Sequence, residues 1–440
     1  MAAMVAAAAM ADEPAVDLSI AEFKGDAKVT WGVDLDADAA GGGRTGFKNE
    51  TSAELKVNIV KGGDKSTEGE GVWGEIKVKA DGDFVAKSTG DVPAFEGGKA
   101  TVDTAKLHIG DLYVGIKSGD TQVGGLNLSN AIKSDKFGVD KKGYDAANGL
   151  VVGYGNDLFG VDVDFRSKNT GDDYYTDDYA LAAEAELKDL SGFGAKAGVS
   201  FALKDHGTGQ VKLGLFGSAS YKMALGDNTL KASVGYGAEK REGLDDLYGE
   251  VAGSVLYSWG DEADSAVGGY YLGDETKKRT PGVGVAVYVP LYKHTTIDII
   301  PSFYSGEIIE NLSAGLIGEF LIPVDMGDNA KVGMAVAGNV SYKLAVGDAI
   351  TVTPKAGFRF FDKNYGAGGK VADIFTKANT DNSGLTDTAA DPDGLVNVSA
   401  GVEVGGIIPN VTFEACYQSR NLVADAAKAG TFNISAKIAF

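Results

Sequence analysis

Along most of this chain apolar and polar residues alternate with a period of two. Val29, Trp31, Val33 and Leu35 alternate with Lys28, Thr30, Gly32 and Asp34, and Ala53, Leu55, Val57 and Ile59 with Glu54, Lys56 and Asn58. Val161, Val163 and Phe165 oppose Asp162, Asp164 and Arg166; Leu181, Ala183, Ala185 and Leu187 oppose Glu184, Glu186 and Lys188. Residues 193–203 set apolar positions against Lys196 and Ser200, and Val396, Val398, Val402 and Val404 stand against Asn397, Ser399 and Glu403. The sequence closes on Phe432, Ile434, Ala436, Ile438 and Phe440 against Thr431, Asn433, Ser435 and Lys437. Each run predicts a strand with one apolar and one polar face. Chain ends usually fray. A last strand patterned to its final residue suits one that pairs on both edges in lipid.

Turns punctuate the runs. In TAKLHIGDLYVGIK the apolar phase flips at Gly110-Asp111, so a two-residue hairpin there would set Ile109 opposite Leu112 and Leu107 opposite Val114. Further turns are expected at Gly155-Asn156-Asp157, Gly226-Asp227-Asn228, Gly347-Asp348 and Ile408-Pro409-Asn410. GSASYKMALGD and GNVSYKLAVGD are echoes of one hairpin unit, and equivalent turns on one side need an odd number of strands intervening between the first strands of the two units. Reading the pattern gives six, so one strand assignment between Tyr248 and Asn339 is wrong, with residues 266–272 the weakest. Segments 119–148 and 362–394 lack the pattern, and stretches of that length do not suit a compact soluble domain. Aromatic residues gather near strand ends at Tyr257-Ser258-Trp259, Tyr270-Tyr271, Phe303-Tyr304 and Phe360-Phe361, as an interfacial girdle would place them.

Together these features predict an all-β fold, a closed antiparallel transmembrane β-barrel of about 20 strands (roughly 18–22), with short periplasmic turns and longer extracellular loops. Residues 1–11 read as a signal-peptide remnant or engineered start, with Ala9-Met10-Ala11 before Asp12 resembling an export cleavage site, and 12–440 as the barrel. An alternative confines the barrel to 150–440 and makes 12–149 a periplasmic domain. After the first dozen residues no apolar stretch reaches the about 18 residues of a transmembrane helix.

Charge decides where water goes. The polar faces hold Glu54, Lys56, Glu75, Lys77, Asp162, Arg166, Glu184, Glu186, Lys196, Lys212, Lys231, Lys355, Arg359, Glu403, Glu414 and Lys437. No dry core would hold that set, so in a barrel these faces line a wet lumen. A soluble sandwich would turn them outward, but about 20 strands would leave it too many edges to manage. The formal net charge of -21 argues against nucleic-acid partners.

Little else points to chemistry. Cys416 is the one cysteine and sits on a polar strand face with Glu414 and Gln418, so no intramolecular disulfide forms. His108, His206 and His294 share no metal-ligand spacing. DLDADAAGGGRT imitates a calcium loop but has Ala39 and Thr45 where Gly and Glu belong. No phosphate-binding loop or nucleophile elbow appears. Neither an enzyme nor a cofactor is expected.

The blocks VTWGVDLD, TGFKNETS, TVDTAKLHIGDLYVGIKSGDT and GVDVDFRSK, in that order over the first 170 residues, resemble the treponemal major outer sheath protein and Tpr family. That resemblance implies a spirochaete outer-membrane porin, often a homotrimer, also implicated in adhesion to host extracellular matrix. It further implies that Phe440 is a signal read by barrel-assembly machinery. The first strand, around Trp31, is expected to meet the last, from Phe432 to Phe440. Ions and small hydrophilic solutes would pass the lumen, with 119–148 folding inward to narrow it. The alternative is an adhesin that displays 167–178 and 362–394 and conducts little.

Overall fold

The computed structural model describes residues 21–35, 45–60, 72–85, 94–117, 121–128, 138–146, 148–167, 179–203, 209–259, 280–291, 296–306, 308–324, 330–365, 369–371, 394–423 and 430–439. Strands dominate them. The first group is β1 (Ala21–Asp34), β2 (Thr45–Val60), β3 (Val72–Val85), β4 (Ala94–Ile109), β5 (Leu112–Lys117), β6 (Val123–Asn127), β7 (Gly138–Lys142) and β8 (Asn148–Gly155). Next come β9 (Phe159–Ser167), β10 (Tyr179–Leu190), β11 (Phe193–Ala202), β12 (Val211–Leu225), β13 (Asn228–Arg241), β14 (Leu247–Trp259), β15 (Gly282–Pro290) and β16 (Thr296–Tyr304). The last are β17 (Leu312–Pro323), β18 (Gly333–Tyr342), β19 (Leu344–Val346), β20 (Ile350–Phe361), β21 (Leu395–Gly405), β22 (Val411–Gln418) and β23 (Thr431–Ala439).

Twenty-one of these strands form one antiparallel sheet, and β6 and β7 form a second. Neighbours in the large sheet are neighbours in sequence, with β5 passing over the small sheet to pair with β8. Lys343 alone separates β18 from β19, and both face β20, so the pair is one interrupted strand. The large sheet therefore has twenty positions, within the expected range. β1 pairs with β2 on one edge, from Ala21↔Val57 to Val33↔Thr45. On its other edge it pairs with β23, from Asp26↔Ala439 to Asp34↔Thr431.

Register keeps the two faces separate across the sheet. Val163, Ala183, Val199, Leu215 and Ala238 are successive cross-strand partners on one face; Asp162, Glu184, Gly198, Phe216, Gly237 and Glu250 are successive partners on the other. The first face is apolar and largely uncovered, with Val234, Val255, Val283 and Ile434 each about half exposed. Among the described residues of β5 to β23, its paired positions hold one charged side chain, Lys240. That residue stands near a strand end, with Nζ 2.6 Å from the Asp245 carbonyl.

The hairpin at Gly110-Asp111 forms as expected, with Ile109↔Leu112 and Leu107↔Val114 paired and Gly110 at φ 59°. Glycine suits that positive φ because a Cβ would clash. Five strands, β13 to β17, intervene between β12 and β18, the first strands of the two echoed units, an odd number, so the reading of six counts one strand too many. Residues 266–272 lie outside the described ones. Because directions alternate, the turns at 110–111, 156–158, 191–192, 226–227, 347–349 and 406–410 share one end of the sheet. Connections 118–147, 168–178 and 362–394 share the other.

One expectation fails. Tyr257, Trp259 and Phe303 meet on the apolar face with ring centroids 6.2 Å apart, as a girdle would, but Tyr304 and Phe361 do not join it. Both are buried on the polar face, because adjacent residues of a strand point to opposite sides. Tyr270 and Tyr271 lie outside the described residues.

Candidate functional site

The polar face is not bare. The β6–β7 hairpin lies on it, packed against β10 to β14. Glycines on the wall strands make the room. A Cβ on Gly198 would come 2.7 Å from Val123, one on Gly214 2.4 Å from the Gly143 backbone, and one on Gly235 2.6 Å from Leu126. In the hairpin, Gly124 (φ +83°) faces Phe216 so closely that a Cβ would stand 2.0 Å from the ring. Gly124→Val would therefore combine overlap with backbone strain. The expected result is a folded, heat-modifiable sheet whose hairpin is cut by protease within residues 121–146; an uncut hairpin would contradict this seating.

A second segment, Tyr365 with Gly369, Lys370 and Val371, folds back after β20 onto the same face. Val123, Leu128 and Val139 of the hairpin and Tyr365 and Val371 of this segment join Phe216, Ala286, Ile300, Ile317 and Leu321 of the wall in one apolar cluster. This corrects the expectation that 362–394 is displayed as a whole, since Tyr365 and Val371 are buried.

Carboxylates from the wall hold both segments. Glu184 accepts from Gly124 N–H at 2.7 Å, and Glu239 from Gly143 N–H at 3.3 Å. Glu250 accepts from Asp140 N–H and from the Tyr288 hydroxyl at 2.7 Å each, and pairs with Lys142 Nζ at 2.7 Å. Asp298 accepts from Lys370 N–H at 3.0 Å. Glu319 accepts from Val371 N–H at 3.2 Å and from the Tyr365 hydroxyl. Bonds to a charged acceptor are about twice as strong as neutral ones, which helps to offset the burial of Glu250.

By register, each charged residue read from the sequence stands on the polar face. They do not form one site. Glu184 pairs with Lys196 at 2.6 Å, and Glu186 is the cross-strand partner of Lys196. Buried Arg166 meets Asp164 at 2.8 Å. Lys355, with 3% of its side chain exposed, lies between Glu403 and Glu414 at 2.5 and 3.5 Å. Arg359 donates to Asn397 at 2.9 Å. Lys212 meets Glu242 at 3.0 Å and Lys437 meets Asp26 at 3.5 Å, whereas exposed Lys231 faces Lys222. Lys77 partners Lys56 on β2, whose side chain lies outside the described ones. Trp31 pairs with Ile434 and Val33 with Phe432, so Trp31 and Phe432 flank the β1–β23 contact on the apolar face. Phe440 and residues 1–11 lie outside the described residues, as does most of the calcium-like segment. Among the described residues no group of His, Cys, Asp or Glu could hold a metal ion.

Sequence reading misses Asp140, Lys142, Glu239, Glu250, Asp298, Glu319 and Lys370. A signal was present. β16 and β17 read TIDIIPSFY and LSAGLIGEFLIP, each with a single charged residue and with Ile300, Ile317 and Leu321 on the polar face, and apolar residues on a second face mark a strand covered there too.

Comparison with known proteins gives two treponemal relatives. No family model matches the chain. Major outer membrane protein MspA of Treponema maltophilum is 27% identical over 98% of this chain and 97% of its own length. Major surface protein MspTL of Treponema lecithinolyticum is 45% identical over 184 residues, 38% of this chain but 30% of that protein. The chain is thus similar to treponemal major surface proteins, over nearly its whole length in one case. Its place is the outer membrane, in keeping with those names and with an outer face almost free of charge. Solved structures similar to this chain include Pseudomonas aeruginosa OccK5 (OpdH), with TM-score 0.43 and 10% identity over 96% of this chain and 99% of that one. P. aeruginosa OpdK aligns with TM-score 0.39 and 11% identity over 95% and 99%.

Proposed function

We propose that this chain is a porin whose twenty strand positions curve into one closed barrel and pass ions and small hydrophilic solutes along the polar face. One observation carries the reading: β1 is hydrogen-bonded to β2 on one side and to β23 on the other. That pairing supports closure, which would leave no edge for lipid to meet, as a spanning sheet requires. The pairing of β1 to β4 within the same sheet favours a single barrel over a separate N-terminal domain.

On this reading the β6–β7 hairpin narrows the lumen from the long-loop, extracellular end, and the side chains of the wall conduct rather than catalyse. Lipid surrounds the apolar face, assembly machinery inserts the barrel, and a homotrimer is its working form. The deciding experiment is single-channel recording of the folded protein in a planar bilayer. Stable steps, grouped in threes for a trimer, are expected. A silent bilayer with heat-modifiable, folded protein would overturn the porin reading and leave adhesion to host matrix by the long connections as its role.

A further inference from the structure

We propose that Lys370 is the positioning residue that couples the two inward segments and so sets the aperture; the inference rests on the porin reading. Each segment has its own mooring on the wall. The hairpin holds Glu250 through Lys142 and the Asp140 N–H, and the second segment holds Asp298 and Glu319 through the N–H groups of Lys370 and Val371. Lys370 does something different with its side chain. Its ammonium, on a side chain 9% exposed, reaches across to Asp140 Oδ2 of β7 at 2.9 Å, lies 3.5 Å from Glu250 and sits 4.6 Å above the centre of the Tyr288 ring. Glu250 keeps Lys142 and Tyr288 without it. The Lys370–Asp140 bond therefore joins segment to segment, where the others join segment to wall.

A shielded ammonium between a carboxylate and an aromatic face is a strong tie, and Asp140 on its far side is 61% exposed to the lumen. Cutting it leaves both segments moored but free to move apart. The lumen edge at Asp140 would then widen and fluctuate while the wall stays intact.

Lys370→Met keeps the length of the side chain and removes its charge; Lys370→Arg keeps the charge; Asp140→Asn removes the partner. All three and the double variant would be recorded in planar bilayers beside heat-modifiable migration. For Lys370→Met the expected result is about a tenfold rise in the time spent in a wider sub-conductance state, equivalent to roughly 1.4 kcal/mol. Lys370→Arg should restore the wild-type record, and Asp140→Asn should match Lys370→Met. The double variant should go no further than either single change, because both remove one interaction. Wild-type occupancy in Lys370→Met, or additive effects in the double variant, would overturn the coupling while leaving the porin intact. If Lys370→Met gives no folded band, Asp140→Asn decides alone, since its side chain is exposed. Silent wild-type protein would sink the porin reading and this inference with it.

Discussion

Replacing residues 118–147 by a short turn should raise single-channel conductance by at least about twofold, since barrels of 16–18 strands already leave an aqueous channel and this sheet has more positions. β5 and β8 are already paired, Leu112 with Tyr154 and Gly115 with Val151, so a turn of a few residues bridges Lys117 to Asn148 without moving either strand. The change removes the hairpin that covers the inner face of β10 to β14. It also exposes Phe216 to water, at a cost of about 1.5–3 kcal/mol, and frees Glu184, Glu239 and Glu250 from the N–H groups they hold. The ladder of the large sheet uses none of those bonds. Heat-modifiable migration should therefore survive, with a lower unfolding temperature. Unchanged conductance in a folded variant would show that the hairpin does not bound the permeation path.

The second large effect lies on the other face. Val285, at the middle of β15, is 42% exposed on the apolar side, with Val255 as its cross-strand partner on β14. Val285→Arg should destabilise the protein in lipid by about 2–4 kcal/mol, the cost of a basic side chain near the bilayer midplane. Ser220→Arg places the same side chain on the polar face of β12, and its effect should stay within about 0.5 kcal/mol. Urea unfolding from lipid vesicles measures both. Equal effects would mean that the two faces meet similar surroundings, and the membrane-spanning orientation of the sheet would be wrong.

Strand faces were legible because a period of two is a local property: Val163 and Asp162 declare their sides without knowledge of any partner. The Gly110-Asp111 hairpin was legible for the same reason, as a phase flip within one short stretch. What the pattern hid was everything that depends on a segment crossing the interior. The hairpin strands VGGLN and GVDKK are five residues each, too short and too rich in glycine to stand out. Their seats, Gly198, Gly214 and Gly235, sit in three different strands and become one surface through register alone. The charged residues that stand out on the polar faces do so by charge alone. Of the acids that grip the inward segments, Glu184 shows in its strand's alternation, whereas Glu250, Asp298 and Glu319 are each the one charged residue of their strand, where alternation draws no attention to them. Adjacent aromatics misled in the opposite sense. In Phe303-Tyr304 and Phe360-Phe361 one ring of each pair must turn inward, so neither pair can belong wholly to a girdle.

The pairing of β1 with β23 joins segments far apart along the chain, Asp26 with Ala439. Contacts of such span are slow to form, because chain entropy must be lost before any bond is gained. Until β23 arrives, β1 presents a row of N–H and C=O groups that hydrocarbon will not tolerate. Entry into the bilayer is therefore tied to β23 rather than to β1. A chain broken off before Thr431 would have nothing to offer the second edge of β1.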